Sequence, residues 1–196
     1  MHFALTPARL ETGETVLVHG AAGGVGTAAC QLAAAYGARV IAVVSTPDKG
    51  EVARAAGADD VVPVDGFRDE VRRLTDGRGV DIVVDPVGGD RFTDSLRSLA
   101  REGRLVVLGF TGREIPTVKV NRLLLANTTV MGAASAEFWR TEPGYAGRQW
   151  RDLVPLMQSG AIDPPIGSVY ALDQAAAAIR EIDQRRAAGR VLIRVR

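Results

Sequence analysis

The sequence predicts an α/β protein: a doubly wound parallel sheet with helices on both faces, in three αβα layers. Three observations predict it. Short apolar runs alternate with helix-forming stretches five times between Val16 and Gly109, the rhythm of right-handed strand–helix–strand crossovers. The runs are apolar on both faces, as in Arg39-Val40-Ile41-Ala42-Val43-Val44, which suits interior strands of a parallel sheet. The first run, Val16-Leu17-Val18-His19, breaks into glycines at positions 20, 23, 24 and 26 and opens into the helical stretch Thr27-Ala28-Ala29-Cys30-Gln31-Leu32-Ala33.

Taken in order, residues 1–14 read as the tail of a helix through Ala8-Arg9-Leu10 and a turn at Thr12-Gly13-Glu14. After the first strand, a helix over 24–36 stops at Gly37, and Arg39–Val44 forms the second strand. Pro47 and Asp48 start a second helix, whose Ala55-Ala56-Gly57-Ala58 end leads to a short third strand at Val61-Val62. Asp65-Gly66 turns the chain into a helix through Val71 and Leu74, stopped by Asp76-Gly77-Arg78-Gly79. Val80–Asp85 is the fourth strand, ended by Pro86; a helix over 91–99 and a fifth strand, Arg104–Gly109, follow. Beyond Pro116 come a helical turn at Asn121–Leu125, a sixth strand over Thr128–Ala133 and a helix over 146–158. The last elements are a strand through Val169-Tyr170, a helix from Asp173 to Arg186 and a strand over Val191–Val195. Ligands of such sheets bind at the carboxyl ends of the strands, which places 20–26, 45–49, 85–89 and 109–112 along one rim.

Composition excludes several functions. Hydrophobic residues are 46% and charged residues 24% of 196, as in ordinary globular chains, and a net charge of +1 gives no electrostatic reason to invoke nucleic acid or an anionic membrane. A single cysteine, Cys30, excludes an internal disulfide and a multi-cysteine zinc site; among alanines it reads as a small buried residue. With His2 and His19 the only histidines, no metal constellation is expected. Residues 1–7 lack the charged start and apolar run of a signal peptide, and no run is long enough to span a bilayer, so a cytoplasmic location is the expectation.

The glycine turn is where chemistry enters. Gly20 and Gly23 let the main chain turn tightly and approach an anion, and the first amides of the new helix, at Gly24, Val25 and Gly26, point at it with the helix dipole. The strict G-x-G-x-x-G text is absent, because position 21 is Ala. One strand over, no acid follows Val44 until Asp48; Ser45 can donate to a ribose phosphate and Lys49 can supply a positive charge to it. The competing reading makes Ser45-Thr46 a helix cap and Lys49 a solvated lysine. His19 reads as a packed or hydrogen-bonded residue, and Asp81 and Asp85 flank an apolar strand without a base or nucleophile to pair with. Trp139 and Trp150 read as packing on the domain, and Arg185, Arg186, Arg190, Arg194 and Arg196 as a helix end and a solvated edge.

Ala21-Ala22-Gly23-Gly24-Val25-Gly26, Gln31-Leu32-Ala33, Gly37-Ala38 and Gly57-Ala58-Asp59 are followed by Gly77-Arg78-Gly79-Val80-Asp81, Asp85-Pro86-Val87-Gly88-Gly89 and Gly103-Arg104-Leu105-Val106. In order and spacing these pieces resemble the zinc-independent quinone oxidoreductase (zeta-crystallin-like) branch of the medium-chain dehydrogenase/reductase family. The resemblance implies a Rossmann-type cofactor-binding domain over residues 1–160. Residues 161–196 resemble the tail that in whole enzymes returns to an upstream substrate domain, so the last strand is expected to lack its sheet partners.

It further implies NADPH as cofactor, held by Ala22, Gly23, Gly24, Val25 and Gly26 at the diphosphate and by Ser45 and Lys49 at the ribose phosphate. The nicotinamide would lie against Pro86, Val87, Gly109, Phe110 and Thr111, with residues 132–135 near the ring by family position; the bland reading makes Gly88-Gly89 a mere turn and Phe110 a core side chain. A phosphate-side tyrosine of some relatives is replaced by Val64. The implied reaction is hydride transfer to a carbonyl or activated alkene, a quinone or enone, with no catalytic residue assigned. Alternatives are an enoyl-thioester reductase domain of a fatty-acid or polyketide synthase and a non-catalytic dinucleotide-binding module. A homodimer through the 128–133 strand is also implied.

Overall fold

A computed structural model describes residues 1–142 and 144–195. Its centre is a six-stranded, wholly parallel sheet in the order β3-β2-β1-β4-β5-β6. The strands are β1 (Thr15–His19), β2 (Arg39–Val44), β3 (Asp60–Pro63), β4 (Val80–Asp85), β5 (Leu99–Val107) and β6 (Thr129–Gly132). Every residue of β1 and β4 is buried, because helices cover both faces. On one side Val16, Val18, Val40, Ala42, Ile82 and Val84 pack under α2 (Gly24–Ala35) and α3 (Pro47–Ala55). On the other Leu17, Ile41, Val43, Val83 and Leu105 pack under α4 (Phe67–Leu74) and α5 (Phe92–Arg97). The period of two along each strand sorts alternate residues into the two cores, which is why the runs had to be apolar throughout. Order reverses between β1 and β4, and that switch point, flanked by the turns after the two strands, is where such sheets open a crevice.

Several expectations shift. The N-terminal helix, α1, is His2–Leu5, with turns, not helix, through Ala8 and Arg9. The fifth strand starts at Leu99, five residues early, because the chain passes through a register shift against β4 at Val80/Ile82 before running straight. The helix before it is Phe92–Arg97, preceded by a 3-10 turn at Gly89–Arg91. An unforeseen helix, Ser135–Thr141, precedes a longer one, Tyr145–Gln158; with Asn121–Ala126 earlier these are α6, α7 and α8 in chain order. Trp139 and Trp150 stay about half exposed at 47% and 56% rather than packed in.

The last strand does not stand alone. β7 (Ile166–Ala171) and β8 (Arg190–Arg194) pair in parallel as a second, two-stranded sheet, with α9 (Ala175–Asp183) as their crossover. Arg196, one of the basic tail residues, lies outside the described residues.

Candidate functional site at the carboxyl rim of the sheet

The turn after β1 is shaped by its glycines. Gly20 takes a φ of 60°, and its carbonyl accepts the N–H of Gly23 at 3.0 Å, closing the turn. A Cβ at Gly26 would run into the Gly20 carbonyl and the Ala21 backbone, so α2 can approach β1 this closely only with glycine there. Gly23 caps α2 in extended conformation with no side chain satisfying the helix start and no acid in the first turn. The start of α2 is therefore without a side-chain cap and positive by dipole, with Gly26 buried and the tail's Gly189 bridged to Gly23 beside it. Val25 is exposed, whereas Ala22 is buried and gives its carbonyl to the N–H of Gly189 at 2.7 Å.

At the end of β2 the structure brings Ser45 and Lys49 together. Lys49 Nζ reaches Ser45 Oγ at 3.4 Å and also donates to the Arg185 carbonyl, while Thr46 Oγ1 accepts the Lys49 N–H as the cap of α3. Thr46 is thus the helix cap, and Lys49 is held between the Ser45 hydroxyl and the Arg185 carbonyl.

At the far side of the switch point, Asp85 ends β4 and its Oδ1 accepts the N–H groups of Val87 and Gly88 at 2.8 and 2.9 Å. The carbonyl of Pro86 accepts both the N–H and the Oγ1–H of Thr111, and that of Val87 accepts the N–H of Gly112. Pro86, Val87, Gly109, Phe110 and Thr111 thus form one interlocked pair of loops. Phe110, at 41% exposure, is no core side chain; its ring lies on the rim against Gly88.

His19 is fully buried, edge-on to Phe67 at 4.9 Å between ring centroids, with Nε2 2.8 Å from Ser95 Oγ. The Ser95 hydroxyl hydrogen goes to the Arg91 carbonyl at 3.0 Å, so Oγ must accept from His19 Nε2–H and leaves Nδ1 as a bare acceptor. Burial, helped by the nearby Arg91 cation, pushes its pKa down to about 3, so the ring is neutral. Burial pushes the Asp85 carboxyl up, against the pull of the Gly88 and Val87 amides and Arg91. For Asp81 burial acts the same way, but the Arg78 guanidinium, the Thr15 amide and Arg104 outweigh it and hold the carboxyl below its usual range. Asp81 is structural.

Among the described residues the histidines and the cysteine are otherwise engaged. His19 Nε2 is engaged by Ser95, His2 lies against Asp152, and burial pushes the Cys30 thiol up to about 12. Among the described residues no three His, Cys, Asp or Glu side chains gather as a metal site. The residues present suit a dinucleotide's phosphates in kind: a glycine turn, a helix start without a side-chain cap, and a cation with a hydroxyl one strand over.

The sequence reading missed the tail's part in this rim. Arg190 lays its stem over Gly24, where a Cβ would stand 3.0 Å from Arg190 Cδ, and Gly23 and Gly189 form a parallel bridge. Arg113 pairs with Asp183 at 2.8 Å, and Arg185 Nη2 lies 3.4 Å from the Thr111 carbonyl. Gly189-Arg190 ahead of an apolar strand was the available signal; its distance in sequence hid the contact.

Residues 24–159 match the family described as zinc-binding dehydrogenase. A quinone oxidoreductase-like protein 2 of Rattus norvegicus is 38% identical over 189 residues, covering 95% of this chain and 54% of the rat protein. A mycobacterial protein solved in complex with NADPH superposes with a TM-score of 0.89 at 35% identity, over 98% of this chain and 60% of that one. A highly reducing polyketide synthase of Gibberella zeae is 31% identical over 97% of this chain and 8% of its own length. The chain thus spans about half the length of the stand-alone relatives it matches.

Proposed function

The chain belongs to the zinc-binding dehydrogenase family, in the quinone oxidoreductase branch of the medium-chain dehydrogenases and reductases, and from that premise we propose that it is the NADPH-binding domain of an oxidoreductase that passes hydride to a quinone or enone. The observation that carries this reading is the convergence of Ser45 and Lys49 beside an uncapped, glycine-built helix start. The cofactor supplies the hydride when bound; the protein's residues bind, orient and exclude water.

In this reading the amides of Gly23, Gly24, Val25 and Gly26 hold the diphosphate, with Ala22 fixing the turn and Arg190 adding positive charge. Ser45 donates to the 2′-phosphate and Lys49 turns from the Arg185 carbonyl to meet it. Pro86, Val87, Gly109, Phe110 and Thr111 form the platform for the nicotinamide. Residues 161–196 are the part that meets an upstream substrate domain: Ile166, Val169, Leu192 and Ile193 leave that small sheet apolar and exposed.

The match to a polyketide synthase favours one second reading, an enoyl-thioester reductase domain. The two separate by turnover. NADPH oxidation is followed with 1,4-benzoquinone and with an enoyl thioester, using this chain joined to the upstream half of a stand-alone relative. Faster turnover of the quinone supports the first reading and of the thioester the second; the chain by itself should turn over neither appreciably.

A further inference from the structure

Asp85 has no exposed surface, yet one carboxylate oxygen decides the course of two loops. Oδ1 accepts two successive amides, Val87 and Gly88, and so bends the chain directly after β4. Gly88 there takes φ 64° and ψ −147°, a conformation essentially confined to glycine. The bent turn presents the Pro86 and Val87 carbonyls to Thr111 and Gly112, at 3.2 and 2.8 Å from their amides. Contact is close enough that a Cβ at Gly112 would stand 2.8 Å from the Val87 carbonyl, and one at Gly88 3.1 Å from the Phe110 ring. The carboxylate thus bonds the first loop directly, and the first loop's carbonyls bond the second.

The other oxygen is buried without a hydrogen bond among the described residues, a cost set against the two amides that Oδ1 satisfies. Asp85 Oδ2 has no hydrogen-bond partner among the described residues, and neither has His19 Nδ1. The two residues follow the paired Val18 and Val84 on adjacent strands, on the α4/α5 face. Two unpaired acceptors buried at neighbouring positions are costly. A position selected for packing alone would hold an apolar side chain, or an asparagine that brings a donor.

We infer that Asp85 is a positioning residue that sets the turn at 85–88 and, through it, the loop at 109–112, and so fixes the nicotinamide half of the dinucleotide site while the adenosine half stands without it. This rests on the NADPH-binding reading. The test compares Asp85→Ala with Asp85→Asn, which keeps Oδ1 as an acceptor, by amide hydrogen exchange and by affinity for NADPH and for 2′,5′-ADP, a probe lacking the nicotinamide. In Asp85→Ala, exchange at Val87, Gly88, Thr111 and Gly112 should rise at least about tenfold, with NADPH affinity down about tenfold and 2′,5′-ADP affinity unchanged. Asp85→Asn should stay within about twofold of the parent on all three counts, because the acceptor is retained. Unchanged exchange in Asp85→Ala, equal loss of both probes, or an Asn variant as impaired as Ala overturns the inference. If the parent protein binds neither probe, the NADPH reading falls, and the exchange data still decide whether Asp85 sets the loops. Should Asp85→Ala not fold, Asp85→Ser, whose hydroxyl accepts more weakly, should show the same order at smaller amplitude, and its absence counts against the inference.

Discussion

His19 shows at the scale of one residue how burial becomes a pH response. Its folded pKa, about 3, lies below the ordinary 6.5, so the unfolded chain takes up the proton first. Stability is therefore full above about 6.5 and falls toward about 3, by about 1.4 kcal/mol for each pH unit. Asp85 works with the opposite sign, its raised carboxyl costing stability as pH climbs through and above the usual carboxylate range, so it does not produce the loss on acidification. Ser95 and the Phe67 ring pack on the imidazole, the nearby Arg91 cation disfavours the imidazolium, and Asp85 stands at the neighbouring position on the next strand. Urea midpoints of the parent should drop between pH 6.5 and 4.5. In His19→Gln, which keeps a donor for Ser95 without titrating, that slope should flatten; equal slopes would show that another group governs acid stability. Sequence alone placed His19 at a strand end as a packed residue. It could not give the tautomer, which depends on where the Ser95 hydroxyl hydrogen goes.

Among the elements, the junction of β1 and α2 is the least tolerant of change. A Cβ at Gly26 would lie 2.6 Å from Ala21 Cα and 2.8 Å from Ala21 C, backbone that cannot give way without lifting the helix from the sheet. Gly26→Ala should cost about 3 kcal/mol by denaturant midpoint. Gly147→Ala in α8, where nothing lies within 4 Å, should be neutral or raise stability by about 0.5–1 kcal/mol. Equal effects at the two sites would mean that the junction is looser than its geometry. Elements like these were legible because their signals are local: Gly20 ends one strand, Gly37 one helix, Pro86 another strand. The early start of β5 was not, since Arg101 and Glu102 look like a surface turn, Glu102 takes a φ of 63°, and only pairing with β4 draws Leu99 into the sheet. The pairing of β8 with β7 was missed for the same reason, a partner about twenty residues away that no periodicity announces.

Across the whole molecule the tail decides how the rim is finished. From Asp163 onward it touches α2, where Gln31 bonds the Asp163 carbonyl, then Arg113, Thr111, Lys49, Ala22 and Gly24 in turn. Each station proposed for the dinucleotide thus has a contact from residues 163–190. Local reading found the stations from the glycines, Ser45 and Lys49, but could not foresee that a distant segment crosses all of them. The proposed preference for a phosphorylated ribose joins these scales, since it would draw on the Ser45–Lys49 pair, the helix start and release of Lys49 from the Arg185 carbonyl together. The most direct measurement is calorimetric titration of the purified chain with NADPH and NADH, repeated on Lys49→Ala. NADPH should bind at least about tenfold tighter than NADH, and Lys49→Ala should remove most of that margin while leaving NADH affinity unchanged. Equal affinity for the two cofactors, or binding of neither, would contradict it.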